Sequence, residues 1–153
     1  MSISTAQVVS VFRRHGDKPQ RALIRRLAKS QSALGALSDI CTGDYPPSVV
    51  RWAVEALGAI RGPVALGLIK CSLKHPAMSV RLHAILGISA FNDRSLAKYL
   101  RPLLRDESGG IRVNALAAVG ALKPNWLPSE LRRAIKDDKD YVRRLAARLQ
   151  SGA

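Results

Sequence analysis

The stretch "GGIRVNALAAVGAL", residues 109–122, places Ile111, Ala115 and Val119 at four-residue steps and ends on small residues, which is the spacing of one buried helix face. The same pattern stands 31 residues earlier as "MSVRLHAILGISAF" (78–91), 62 earlier as "SVVRWAVEALGAI" (48–60), and again downstream as "KDYVRRLAARLQSGA" (139–153). Val49, Val80, Ile111 and Val142 form one column at intervals of 31, and Ala53, Ala84, Ala115 and Ala146 a second. Leu57, Ile88 and Val119 form a third, and the small residues Gly58, Ser89 and Gly120 a fourth. A fixed period of this length is the mark of a stacked-repeat architecture.

The second half of each unit repeats as well. Ala65, Leu96 and Leu127 align, as do Ile69, Leu100 and Leu131, then Leu73, Leu104 and Ile135, again one helix face. The breakers "RGP" (61–63), "FND" (91–93) and "KPN" (123–125) separate the halves. "KHPAMS", "RDESGG" and "KDDKD" separate the units, and Gly109-Gly110 are expected to serve chain reversal there. Each unit therefore reads helix, turn, helix, turn. A helix over about 5–15 leads in, followed by repeats over about 18–48, 49–79, 80–110 and 111–141, and by a capping helix over about 140–150, all in one domain. The first copy is the weakest: Ala22 lies 31 before Ala53, and Asp44 lies 62 before Asp106. The last helix has Val142, Leu145, Ala146 and Leu149 on one face and Arg143, Arg144, Arg148 and Gln150 on the other. It is expected to cover the stack and meet water, as the end of a complete chain would.

A Val/Ile-Arg pair followed by Ala three residues on, with Asp in the turn before it, resembles the HEAT repeat, most closely the short HEAT-like variety of phycobilisome lyases. Ile111-Arg112, Ala115, Gly120 and the upstream Asp106 carry it best, and Val142-Arg143 with Asp137 carry it again. Val80-Arg81 match but have His75 where Asp would stand, and the unit over 49–79 has Val50 in the Arg column with Arg51 one place later. The resemblance covers about residues 18–150. It implies an all-α, right-handed α-solenoid with first helices on the convex side and second helices on the concave side. It also implies that Arg81, Arg112 and Arg143 are structural, each pairing with the Asp of the preceding turn, for which Asp106 and Asp137 are placed.

Charge sharpens the picture. There are 25 Lys and Arg against 11 Asp and Glu, a formal +14, with hydrophobic residues at 47%, enough for a core. Such an excess points to an anionic partner. On the second helices Lys70, Arg101 and Arg132 are 31 apart, and so are Lys74, Arg105 and Lys136, four residues further on. Both columns point away from the core stripe, so they form two rows of cations on the face that the resemblance makes concave. Arg94, Lys98 and Arg133 thicken the patch. Asp44, Asp106, Glu107, Asp137, Asp138 and Asp140 fall in turns, and only Asp39 intrudes on the basic face. The outer column also has a structural reason, because cations near helix C-termini favour the dipole. The ladder is expected to bind nucleic acid through phosphates, with a salt slope of about −5 on duplex DNA. The alternative partner is an acidic protein segment held by an adaptor.

Other chemistry finds little support. Cys41 and Cys71 lack a CxxC or Cys/His spacing and read as reduced, buried thiols. His15, His75 and His83 lie in different units without partners at metal spacing. No phosphate loop, nucleophile elbow or metal motif is present, so neither cofactor nor metal nor catalytic residue is assigned. The resembling folds include DNA glycosylases acting on alkylated purines, but those are longer and use an acidic residue with aromatics in the groove; here only Asp39 offers itself, and a lyase role has no residues behind it. Trp126, and similarly Tyr99, could cover a core end or stack on a base, Trp52 reads as packing, and Pro102 is expected to bend the helix over 96–105. With no secretory signal and no apolar run of membrane-spanning length, the expectation is a soluble, cytoplasmic monomer.

Overall fold

The computed structural model describes residues 3–14 and 16–152, with the backbone alone at Gln31, so His15 lies outside the described residues. Among the described residues every regular element is helical. The α-helices are α1 (Thr5–Phe12), α2 (Lys18–Leu27), α3 (Leu34–Thr42), α4 (Pro47–Ile60), α5 (Pro63–Ser72), α6 (Met78–Ala90), α7 (Ala97–Leu100), α8 (Gly109–Leu122), α9 (Leu127–Ala134) and α10 (Asp140–Ser151). The chain is an all-α solenoid of repeated helix pairs. It divides into two compact units, Met1–Phe91 and Asn92–Ala153.

The period of 31 has a direct physical basis. The first helices α4, α6, α8 and α10 begin at Pro47, Met78, Gly109 and Asp140, spaced 31 apart. The sequence columns are their buried faces: Val49, Val80, Ile111 and Val142 are at most 2% exposed, and the four column alanines are fully buried. Each of these positions is buried in its copy, and burial of such side chains is the main stabilising term. In the first unit α4 packs against α2, α3, α5 and α6. There Gly58 lets α4 and α6 approach so closely that a Cβ on it would stand 3.1 Å from the Gly87 Cα. In the second unit Leu116, Leu131, Val142 and Ala146 make the core, with Leu104, Leu127, Leu145 and Leu149 against it.

Arg61, Asn92 and Lys123, again 31 apart, all have positive φ (61°, 50° and 49°) and lie within two residues of the last residue of α4, α6 and α8, where the chain leaves the helical path. Lys123 is left-handed at φ 49°, ψ 53°, where a side chain is unfavourable. Lys123→Gly is therefore expected to stabilise the protein by about 0.5 kcal/mol and Lys123→Val to destabilise it, read from urea-unfolding midpoints.

Several expectations need adjusting. The first helix ends at Phe12. Pro102, which has no N–H to donate, does more than bend its helix: α7 stops at Leu100 and Arg101–Arg105 continues as a 3₁₀ helix. Gly109 and Gly110 open α8 rather than reverse the chain, and Gly109 is small because the Tyr141 hydroxyl and Lys139 side chain lie over it. Ile135, aligned with core leucines, is 37% exposed because α9 ends one residue before it. No described helix is long and apolar enough to cross a membrane.

Candidate functional site

Two arginine systems occupy the second unit, and they do different work. The first is built on Arg112, near the start of α8. Its Nε and Nη2 donate to the two Asp137 carboxylate oxygens at 2.8 Å each, and both residues are only 12% exposed. Its Nη1 donates to the Asp106 carbonyl at 2.9 Å, and Nη2 also reaches Asp138. One guanidinium thus ties two successive turns together. Arg143 repeats the backbone half of this pattern, donating to the Asp137 carbonyl at 2.8 Å, and in the first unit Arg81 donates to the His75 and Pro76 carbonyls at 3.0 and 2.7 Å.

The Asp partner of Arg112 differs from the expectation. It comes from the following turn, not the preceding one. The Asp106 carboxylate accepts instead from the Ser108 backbone N–H at 2.9 Å, closing its own turn, and the preceding turn offers Arg112 its carbonyls. The Arg112 hydrogen bonds hold the Asp137 carboxyl down at about 2, against an ordinary 3.8. This group binds its proton more weakly folded than unfolded, so its stabilisation is complete above about pH 4. It is lost as pH falls from 3.8 toward 2. An acid titration of stability should show a loss on the order of 1–2 kcal/mol in that window, and Asp137→Asn should flatten it.

The second system belongs to the basic ladder. Lys70 and Lys74 lie in the first unit; Arg94, Lys98, Arg101, Arg105, Arg132, Arg133 and Lys136 lie in the second. Arg101 Nε donates to Glu130 Oε1 at 2.8 Å, and Arg105 Nη2 donates to Oε2 at 2.9 Å. Glu130 is 4% exposed while the two arginines are 47% and 42% exposed. Burial raises the Glu130 pKa, but the hydrogen bonds from both guanidiniums outweigh it and leave the carboxyl below its ordinary value. Glu130 is thus an acid set among the cations of the second unit; in the first unit Asp39 accepts from the Thr5 hydroxyl at 2.7 Å. Glu130 was detectable in the sequence as the lone carboxylate of its helix, two residues before Arg132.

The Glu130 clamp orients what it neutralises. Arg101 is held at Nε by Glu130 and lies over the Trp126 ring, 5.0 Å from its centroid. Trp126 is half-buried beneath it. Arg94 turns away to the Asn125 side chain, and Lys98 sits over the Tyr99 ring at 5.2 Å.

Beside the clamp lies a cleft of about 530 Å³. Leu104, Leu116, Ala134 and Val142 supply its apolar walls; Arg105, Arg132, Arg133 and Lys136 supply cations. Arg132, Arg133 and Lys136 are exposed and enter no ion pair among the described residues. The Arg112–Asp137 pair borders the cleft. Leu104 lines it from the 3₁₀ turn that Pro102 begins, while Arg132 and Lys136 come from α9 and the turn after it. The arrangement can hold an apolar side chain between flanking anionic groups.

Elsewhere the expectations fare unevenly. Cys41 is half-buried and Cys71 exposed, so only one of the two thiols is sheltered. Burial, and then the neighbouring Cys71, push the Cys41 pKa up to about 12, which keeps it a thiol. His83 stands 3.5 Å from Glu55, and the His75 Nδ1 accepts from the Ala77 N–H at 3.0 Å. Among the described residues no three His, Cys, Asp or Glu side chains gather where they could hold a metal ion. Trp52 is packing, as expected, at 3% exposure.

The fold is an α-solenoid, and its second unit carries a charged, apolar-walled cleft. A family model for HEAT repeats matches residues 65–150, more than half of the chain, and the chain belongs to that family. It is similar in fold to a chain in the structure of the CpcE–CpcF complex of phycocyanin lyase from Nostoc sp. PCC7120, at TM-score 0.74 and 19% identity, covering 95% of this chain and 97% of that one. It is similar also to YibA of Escherichia coli, at TM-score 0.76 and 16% identity, covering 97% of this chain but only 58% of that one. An engineered protein follows at TM-score 0.57 and 15% identity, with coverage of 95% and 77%. No curated protein matches by sequence. At these identities the structural likenesses speak for the fold alone.

Proposed function

We infer that this protein is an interaction module whose second unit grips an acidic protein segment carrying an apolar anchor residue. The observation behind it is the cleft itself, in which Leu104, Leu116 and Val142 lie among Arg105, Arg132, Arg133 and Lys136. An apolar wall contributes nothing to a phosphate backbone but gains from every methylene it removes from water. Two rungs of the ladder, Arg101 and Arg105, are already engaged by Glu130, so a tracking polyanion would compete with an internal carboxylate. These points favour an acidic protein segment over nucleic acid, and HEAT repeats as a class serve protein recognition. The CpcE–CpcF structure is itself a protein–protein complex, in keeping with such a role.

The test is fluorescence anisotropy with a short Asp/Glu-rich peptide bearing one central Leu, the same peptide with Ser at that place, and duplex DNA, each over a salt series. The Leu peptide should bind, the Ser peptide should bind about tenfold more weakly, and an Arg132→Glu/Lys136→Glu double variant should lose about tenfold or more. If DNA binds instead, with a slope near −5 and indifferent to a Leu104→Ala change, the module tracks phosphates. If neither probe binds, the cleft is not a recognition site for anionic partners.

A further inference from the structure

We propose that the exposed face of α2, in the first unit, is a docking surface for double-stranded DNA, held through its phosphates. The two units treat their charge differently. Residues 1–91 contain twelve Lys and Arg against four Asp and Glu, and residues 92–153 thirteen against seven. In the second unit Glu130, Asp137, Asp138 and Asp140 each engage one or two cations. In the first unit Asp17 and Glu55 both face the same arginine, Arg21, at 3.8 and 3.4 Å, and Asp39 accepts from the Thr5 hydroxyl. The open charge gathers on α2: residues 18–29 carry Lys18, Arg21, Arg25, Arg26 and Lys29 without a single acid.

Helical spacing brings these cations onto one face. Gln20, Leu23, Ile24 and Leu27 are buried, and α2 packs on α1 and α4. Lys18 and Arg25, seven residues apart, stand on the opposite face, with Arg26 to one side. Lys29 extends the row, because Ala28 keeps helical dihedrals (φ −56°, ψ −23°) and the Lys29 N–H still bonds the Arg26 carbonyl at 3.2 Å. At about 1.5 Å per residue the row runs about 16 Å. Lys18, Arg25, Arg26 and Lys29 are exposed and enter no ion pair among the described residues. The helix dipole accounts for only part of this. It favours Arg25 and Arg26 in the last turn, but it disfavours Lys18 at the first residue, where the first turn holds no acid and the Asp17 side chain makes no capping bond.

The chemistry of the face selects the partner. Ala22 is the one exposed apolar residue of α2, so a protein anchor finds no apolar wall of the kind the cleft offers. Leu23, Ile24 and Leu27 lie in the core, which leaves nothing to enter a bilayer. Residues 18–29 include no aromatic ring on which unpaired bases would stack. What remains is dense positive charge with arginine forks, which suit phosphate oxygens. Duplex DNA supplies one negative charge per about 1.7 Å of its axis. The wide major groove of the B-form also admits the crest of a helix, as the narrow groove of duplex RNA does not.

Fluorescence anisotropy compares one mixed sequence as duplex DNA, duplex RNA and single-stranded DNA over a salt series. Co-sedimentation with vesicles of phosphatidylcholine and phosphatidylserine runs in parallel. Two variants of equal net charge stand beside the native chain. One is Lys18→Gln/Arg25→Gln/Arg26→Gln/Lys29→Gln; the other is Arg132→Gln/Arg133→Gln/Lys136→Gln/Arg148→Gln in the second unit. All eight side chains are exposed, so both variants should keep the native thermal midpoint. Duplex DNA should bind the native chain at about 10 µM near 0.1 M salt, with a slope of about −3.6 for four phosphate contacts. The α2 variant should lose about tenfold or more together with most of the slope, while the second-unit variant stays within about threefold of native. The proposal does not depend on the reading of the cleft, because peptide binding and DNA binding are lost in different variants. Equal loss in both variants would mean attraction by net charge alone and overturn it. Tighter binding of duplex RNA, single strands or vesicles would give the face to that partner instead, and absence of saturable duplex binding would end the proposal.

Discussion

Arg112→Met is expected to lower the unfolding free energy by about 3 kcal/mol, the largest loss of any surface-reaching side chain in the second unit. Methionine keeps most of the apolar stem, so the change isolates the guanidinium. That group makes the two 2.8 Å bonds to Asp137 and caps the Asp106 and Glu107 carbonyls. Removing it leaves a carboxylate at 12% exposure without its cation and strands backbone acceptors at the turn. Arg112→Lys should recover less than half, because an ammonium cannot reproduce a planar fork that serves two turns at once. Urea denaturation of Arg112→Met, Asp137→Asn and the double variant supplies the check. A coupling below about 0.5 kcal/mol in that cycle would show that the pair acts as ordinary surface charge. In Arg112→Met the acid-sensitive window between pH 3.8 and about 2 should shrink as well, since the Asp137 carboxyl would lose the donor that holds it down.

Glu130→Gln is expected to cost about 2 kcal/mol of stability and at the same time to strengthen binding of an acidic peptide. The stability loss follows from burial: Glu130 is 4% exposed and accepts charge-assisted bonds from Arg101 at 2.8 Å and Arg105 at 2.9 Å. The two arginines are half-exposed and stay solvated, which limits the cost. The affinity gain follows from charge. Removing one negative charge from the cleft raises its net positive charge by one and releases the Arg105 fork toward the ligand. Opposite signs in the two measurements separate a neutralising clamp from a residue that merely packs. Loss of both stability and peptide affinity would instead mean that Glu130 chiefly positions Arg101 and Arg105 for the partner.

Much of this protein is legible in the chain because repetition exposes it. Residues that return every 31 positions, Val49, Ala53 and Leu57 with their equivalents, are buried in every copy, as a stacked repeat requires. The Arg column was equally visible, and the tethering role implied by the HEAT resemblance holds in the structure, though through turn carbonyls and a carboxylate one turn further along. The ends of the first helices were visible as breakers, but not that Arg61 and Lys123 would adopt positive φ, which side-chain chemistry does not announce.

The basic ladder shows where such reasoning stops. Charge columns at a fixed spacing say which residues share a helix face; they do not say what lies across from them. Glu130 meets Arg101 and Arg105 from 29 and 25 residues away, an encounter set by helix packing. The cleft depends likewise on Leu104 carried by a 3₁₀ turn, α9 ending at Ala134, and Val142 arriving from α10. The sequence alone determined the repeat, the helices, the core columns and the excess of positive charge, because periodic burial and net charge are sums over single positions. Only the tertiary structure decided which cations are neutralised, which carboxylate each arginine holds, and where apolar wall and free charge share one surface, because those are properties of pairs brought together from distant places in the chain.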